Sequence, residues 1–118
     1  MKPQAEAQLE RFLDALWLEA GLSRNTLSAY RSDLEGFESW LRTQHAVPGT
    51  ATRAQLQNYL ATCVGRGSRP RTTARLLSSL RRFYQYLLRE QLITEDPTAL
   101  IESPKLGRPL PKSLTEEQ

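Results

Sequence analysis

Arginines are the residues of this chain whose spacing best suits them to bind a ligand. Six polar side chains recur at helical spacing after residue 70 and, at about 100° per residue, share roughly 80° of one helix surface. We call this set the arginine face; its members are Arg71, Arg75, Ser78, Arg82, Gln85 and Arg89. Arginine presents a planar fork of donors that matches phosphates and base edges. The pattern therefore predicts recognition of a polyanion, with Thr72 beside the face as a further contact.

The arginine face has no acidic residue near it in the sequence until Glu90, in the last turn of the predicted helix. Residues 51–89 contain eight arginines and neither aspartate nor glutamate. Solvated helix faces usually mix charges, because opposite charges four residues apart stabilise a helix and like charges destabilise it. The pattern favours nucleic acid as the partner. Two alternatives stay open: a helical interaction module that binds an acidic protein, and a face that is merely solvated.

A second polar cluster begins the second predicted helix. Arg24, Ser28 and Arg31 lie together beside its apolar side, with Asn25 and Thr26 close by. Side chains of these types bind phosphates and base edges. We predict that all five contact DNA, although Asn25 and Thr26 are equally consistent with a role in starting the helix.

Catalytic patterns are missing from the sequence. His45 is the only histidine and Cys63 the only cysteine, so a histidine-based metal site and an internal disulfide are not expected. The segment VGRGSRP has glycines but neither the spacing nor the lysine of a phosphate-binding loop. We therefore predict no catalytic residues, no bound metal and no cofactor for this stretch of chain.

The charge is unevenly distributed along the 118 residues. The net charge of +3 is the sum of −2 in residues 1–50, +8 in residues 51–89 and −3 in residues 90–118. A concentrated positive segment of this kind is typical of proteins that bind polyanions. No apolar run approaches the length of a membrane span, and MKPQAEAQLE lacks the apolar core of a secretory signal. A cytoplasmic location is the expectation.

Helical periodicity predicts the elements that would position these residues. The first helix is expected from about Ala5 to Ala20, with Gly21 as its stop, and Ser23 is expected to cap the second. Thr52 is the predicted cap of the third helix, and Ser68 that of the fourth, which runs to about Glu90. The first helix has five apolar residues on one side: Leu9, Phe12, Leu13, Leu16 and Trp17. Those of the fourth are Leu76, Leu77, Leu80, Phe83, Tyr84, Leu87 and Leu88.

The sequence therefore predicts an all-α domain of four main helices around one core, with a short fifth helix from Pro97 to about Glu102. The segment SPKLGRPLPKSL is rich in proline and has no helical period, which indicates an extended linker. SLTEEQ resembles a helix cap with an acidic first turn. We expect a DNA-binding domain over residues 1–102, a linker over 103–113 and the start of a further domain at 114–118.

Three segments in order resemble the N-terminal region of Xer-type tyrosine recombinases. They are LERFLDALWLEAGLSRNTLSAYRSDLEGFESWL, ARLLSSLRRFYQYLLRE and DPTALIESPKLGRPLPKSLTEEQ. The first contains the pattern T-x-x-x-Y-x-x-D-L at Thr26, Tyr30, Asp33 and Leu34. Gly107 departs from the family, where proline is expected, and should loosen the linker only.

The resemblance implies a SAM-like helical domain that grips one side of a DNA duplex while a catalytic domain clamps the other. It also implies that the second and fourth helices face the major groove. The family's catalytic residues belong to the domain expected after Gln118, and none is assigned here. The implied parent exchanges DNA strands through a covalent phosphotyrosine, without a cofactor, and resolves chromosome dimers at cell division. Its implied partners are a paralogous recombinase in a heterotetramer and a cell-division DNA translocase.

Two further alternatives are an intact enzyme and a stand-alone helix-turn-helix regulator. The first lacks catalytic residues within this chain. The second is disfavoured because the proline-rich segment leads onward into another predicted helix.

Overall fold

The computed structural model describes residues 4–99 and 101, with side chains from residue 7 onward. Over these residues the chain is helical and has no strand, which confirms the all-α prediction. Four α-helices follow one another along the chain: α1 (Gln4–Ala15), α2 (Arg24–Thr43), α3 (Arg53–Gly65) and α4 (Pro70–Arg89). A π-helical turn over Leu16–Ala20 extends α1, and a 3-10 turn over Pro48–Thr50 precedes α3.

The end of the first helix differs from the sequence prediction. Gly21 does terminate it, with φ of 63° in the left-handed region. However, the wider π turn rotates the side chains that follow Ala15 away from the direction expected for an α-helix. Trp17 is 51% exposed and Leu18 78% exposed, so the prediction that Trp17 belongs to the core was wrong.

The starts of α2 and α3 confirm their predicted caps. The Ser23 hydroxyl accepts a hydrogen bond from the Thr26 backbone N–H at 3.1 Å. Thr52 and Gln55 cap α3 reciprocally, each side chain accepting from the other residue's backbone N–H at 3.2 and 3.0 Å. These bonds satisfy donors that the first turn of a helix leaves without partners.

The N-cap of helix α4 lies one residue after the predicted one. Arg69, not Ser68, is the N-cap residue, and it makes no side-chain capping bond. Pro70 occupies the first turn, where its missing N–H costs nothing. Leu88, predicted on the apolar side, is 41% exposed, because it lies near the end of the helix at the margin of that side.

One hydrophobic core joins the four helices. It includes Phe12 of α1, Phe37 of α2 and Phe83 of α4, each at most 1% exposed. The rings of Phe12 and Phe83 pack edge to face with centroids 5.3 Å apart. Tyr84, fully buried, donates a hydrogen bond of 2.7 Å to the Pro48 carbonyl and so ties α4 to the 3-10 turn. Burial raises the pKa of Tyr84 well above its ordinary value, so the hydroxyl stays protonated as a donor.

The predicted fifth helix is not formed over its described residues. Pro97, Thr98 and Ala99 form turns, in which Asp96 accepts from both the backbone N–H and the hydroxyl of Thr98. This alternative partner for the backbone competes with a helix. Ile101 is buried, and its carbonyl accepts a hydrogen bond from Arg81 of α4. The predicted linker and the segment after it lie outside the described residues. None of the described helices is long and apolar enough to cross a membrane.

Candidate nucleic-acid interface

The arginine face lies on the surface of α4. All six of its residues are exposed, while Thr72 beside it is half-buried. The buried side of the same helix contains Leu76, Leu80 and Leu87, roughly opposite in helical phase. The sequence therefore predicted correctly which side of α4 meets solvent.

Arg75 differs from the prediction, because an acid from another helix pairs with it. Its Nε and Nη2 atoms donate to the two carboxylate oxygens of Asp33 on α2, at 2.9 and 2.8 Å. The Asp33 side chain is only 9% exposed and that of Arg75 is 44% exposed. The hydrogen bonds to Asp33 raise the pKa of Arg75, so its charge is secure. The sequence pattern of α4 alone did not reveal this partner.

Arg31 and Arg89 are likewise held by acids from other parts of the fold. Arg31 of α2 forms a forked pair with Glu10 of α1, which raises the pKa of the guanidinium. Arg89 of α4 donates to Glu19 in the π turn at 2.8 and 3.4 Å and lies over the Tyr86 ring at 5.4 Å. Both pairs are well exposed, so water and salt screen them and they contribute little to the stability of the fold.

These ion pairs show what the sequence analysis missed. Asp33, Glu10 and Glu19 all come from the acidic first fifty residues, and the fold places them beside arginines far along the chain. For Asp33 a signal existed. It is three residues after Tyr30, directly before Leu34, at the margin of the apolar side of α2, where a carboxylate meets a neighbouring helix.

Three of the predicted contact arginines form no ion pair with a described carboxylate. Arg24, Arg71 and Arg82 are exposed, and no described carboxylate lies within ion-pairing distance of any of them. Ser78 and Gln85 are exposed as well and make no hydrogen bond to a described residue. These five side chains are available to a ligand without first breaking a contact within the domain.

Three predicted contacts of α2 and three of α4 line different grooves on the two flanks of α1. One groove is lined from α1 and its π turn by Leu13, Asp14 and Trp17, and from α2 by Arg24, Leu27, Ser28 and Arg31. The other is lined by Phe12, Ala15, Leu16, Glu19 and Ala20 and, from α4, by Arg82, Gln85, Tyr86 and Arg89. The two sets therefore do not merge into one groove. Arg71, Thr72, Arg75 and Ser78 of α4 line neither groove.

Asn25 and Thr26 at the start of α2, which were expected either to contact DNA or to support the helix start, differ in their contacts. Thr26 belongs to the cap, since its backbone donates to the Ser23 hydroxyl and its own hydroxyl accepts from Ser23 at 3.0 Å. Asn25 is exposed and makes no hydrogen bond within the described part of the chain. Thr26 thus has a structural role that its neighbour lacks.

Metal ligands do not cluster in the described part of the chain, where no group of three histidine, cysteine or acidic side chains is placed to hold an ion. Cys63 is half-buried against the core beside Tyr59, whose pKa is raised mainly by burial. The chemistry that the described surface offers is multivalent hydrogen bonding by cationic and neutral donors.

The sequence is similar to known proteins over almost its whole length. Residues 9–91 match the sequence profile described as the phage integrase N-terminal SAM-like domain. The chain is 52% identical over 110 residues to tyrosine recombinase XerD of Proteus mirabilis, covering 93% of this chain and 35% of that protein. It is 51% identical to XerD of Pseudomonas putida, over 92% of this chain and 36% of the relative. Against XerD of Yersinia pestis the identity is 48%, over 100% of this chain and 40% of the relative.

Proposed function

This chain belongs to the phage integrase N-terminal SAM-like domain family, and from that premise we propose that it binds double-stranded DNA for a site-specific tyrosine recombinase. It spans 35% to 40% of the length of the three XerD proteins cited, so the activity of a whole recombinase is part of the proposal. In this proposal, α2 and α4 carry the contacts to the duplex and the domain grips one of its sides.

The observation that carries this proposal is the exposed face of α4, where Arg71 and Arg82 have no acid among the described residues. An unpaired surface arginine binds phosphate without the cost of breaking an internal ion pair. Ser78 and Gln85 lie between the arginines and supply neutral groups for phosphates or base edges. A solvated face without a ligand explains the exposure but not the absence of acids beside Arg71 and Arg82.

The proposed contacts fall into two groups according to their state in the free domain. Those without an internal side-chain partner among the described residues are Arg24, Asn25, Ser28, Arg71, Thr72, Ser78, Arg82 and Gln85. Thr73, by contrast, is buried and donates to the Arg69 carbonyl, so it is not a contact. The contacts that already have an internal partner are Thr26, Arg31, Arg75 and Arg89.

At the level of the whole recombinase, residues 1–102 would form the DNA-binding domain and 103–113 the linker, with 114–118 opening the catalytic domain. The catalytic domain would supply the tyrosine that forms the covalent bond to DNA, and no described residue is assigned to that step. The recombinase would act with a paralogous recombinase and a cell-division DNA translocase to resolve chromosome dimers in the cytoplasm.

Titration of a fluorescein-labelled mixed-sequence duplex with this chain, at several salt concentrations, tests the proposal. We expect the logarithm of the association constant to fall linearly with the logarithm of the salt concentration, because bound arginines release counterions from the phosphates. Polyglutamate of similar charge serves as the competitor and should displace the duplex poorly. We expect no covalent protein–DNA adduct on a nicked duplex.

Three results would contradict the proposal. The first is no binding at low salt, and the second is equal displacement of the duplex by polyglutamate, which would favour an acidic protein partner. A covalent adduct would show that the described residues catalyse cleavage.

A further inference from the structure

We infer that Asp33 is a positioning residue that holds Arg75 in the orientation in which it contacts DNA. This inference rests on the proposed function and adds a role for a carboxylate, a group that DNA repels. Its basis is the forked pair between α2 and α4, in which both Asp33 oxygens accept from Arg75.

The geometry of the pair leaves the outer edge of the guanidinium available. Arginine has five N–H donors, arranged on a side edge that includes Nε and an end edge between the two Nη atoms. Asp33 occupies the side edge through Nε and Nη2, and no described residue accepts from Nη1. The end edge is therefore available to bind a phosphate, or the O6 and N7 atoms of guanine, with two parallel hydrogen bonds.

The burial of the pair indicates a fixed support. The Asp33 side chain is 9% exposed, and the fully buried Ser79 hydroxyl lies 3.4 Å from its Oδ2 atom. Ser79 is itself anchored, donating to the Leu76 carbonyl at 2.8 Å. Arg75, by contrast, keeps 44% of its side chain exposed. A buried carboxylate thus holds an exposed guanidinium, which reduces the side-chain entropy that the arginine loses when it binds DNA.

Arg31 and Arg89 offer a comparison. Their acidic partners, Glu10 and Glu19, have side chains 40% and 58% exposed, so water and salt compete with those pairs. Only Asp33, among these three acids, is largely shielded from solvent. The positioning role is therefore assigned to Asp33 alone.

The sign of one substitution separates positioning from simple electrostatics. Removing a negative charge from a DNA-binding surface should strengthen binding. If Asp33 positions Arg75, however, Asp33→Asn should weaken binding, because the amide no longer accepts two charge-assisted hydrogen bonds. The exposed Glu35 on the same helix supplies the control, since Glu35→Gln makes the same change in charge. Glu35 lies 3.9 Å from Arg31, but Arg31 keeps its forked pair with Glu10 when Glu35 is changed.

The experiment measures affinity for a fluorescein-labelled mixed-sequence duplex with the parent chain, Asp33→Asn, Arg75→Ala, the double variant and Glu35→Gln. We expect Asp33→Asn and Arg75→Ala each to weaken binding roughly tenfold, the effect of losing one charge-assisted contact. In the Arg75→Ala background, Asp33→Asn should cause no further loss. Glu35→Gln should bind as tightly as the parent or more tightly.

Folding is checked by circular dichroism, and each titration is made below the variant's unfolding temperature. Asp33→Glu provides a second route: it keeps the charge but moves the carboxylate by one methylene. It should also weaken binding only when Arg75 is present.

Unchanged or tighter binding by both Asp33→Asn and Asp33→Glu would overturn the inference. It would also be overturned if Asp33→Asn weakened binding as much in the Arg75→Ala background as it does in the parent chain. Either result leaves DNA binding by the domain intact. Failure of the parent chain to bind the duplex would instead overturn the proposed function.

Discussion

Ion pairing divides the six proposed contact arginines of α2 and α4 into two chemical classes. Arg31, Arg75 and Arg89 are paired with carboxylates from other elements, whereas Arg24, Arg71 and Arg82 have no described acid within reach. Under the proposed function, arginines of the second class bind DNA phosphates and displace their counterions without first breaking an internal ion pair. Those of the first already have a carboxylate partner, and substituting them also disturbs contacts within the domain.

The two tryptophans differ in burial, and Trp17 is not in the core where sequence periodicity placed it. Trp40 packs against the core, with its ring centroid 5.4 Å from that of Tyr59, and Trp17 is 51% exposed. We predict that Trp40→Ala lowers the free energy of unfolding by about 2 kcal/mol, less than the value for a fully buried ring. Trp17→Ala should cost less than about 1 kcal/mol. Urea unfolding of both variants measures the difference, and a larger loss for Trp17 would contradict the packing described.

At the scale of single elements, the caps of α2 and α3 were predictable from the sequence, but the π turn at the end of the first helix was not. Ser23 and Thr52 were recognised as caps because the capping bond is local, made within three residues of the helix start. The π turn after Ala15 has no such local sequence signature. The 3.6-residue period of an ideal α-helix therefore predicted the wrong orientation for Trp17. Asp96 likewise binds Thr98 in a turn, where a helix had been predicted.

The Ser23 cap gives a prediction for α2. Ser23→Ala removes the acceptor for the Thr26 N–H and should lower the free energy of unfolding by about 1 kcal/mol. Ser39→Ala, on the exposed side of the same helix, is the matched control and should be neutral or slightly stabilising, because alanine favours helix. Thermal and urea unfolding of both variants test this. Equal effects would mean that the cap contributes nothing.

At the scale of the whole molecule, the sequence predicted the fold class and the exposed side of α4 but not how the charges pair. Arg75 and its partner Asp33 are 42 positions apart in the sequence, and Arg89 and its partner Glu19 are 70 positions apart. Such contacts depend on how the helices pack, which periodicity within one helix does not determine. For the same reason the sequence did not show that α1 separates the groove containing Arg24 from the one containing Arg82.

The measurement that most directly tests the DNA interface compares two triple variants with the same charge. Arg24, Arg71 and Arg82 are changed to alanine in one, and the exposed Arg42, Arg53 and Arg66 in the other, so each has a formal net charge of 3 − 3 = 0. Affinity for duplex DNA is measured against salt concentration. We predict that the first variant loses up to about three units of the salt slope, one for each lost phosphate contact, and that the second keeps nearly the parent slope. Equal slopes for the two variants, or a greater loss in the second, would contradict the assignment of DNA binding to α2 and α4.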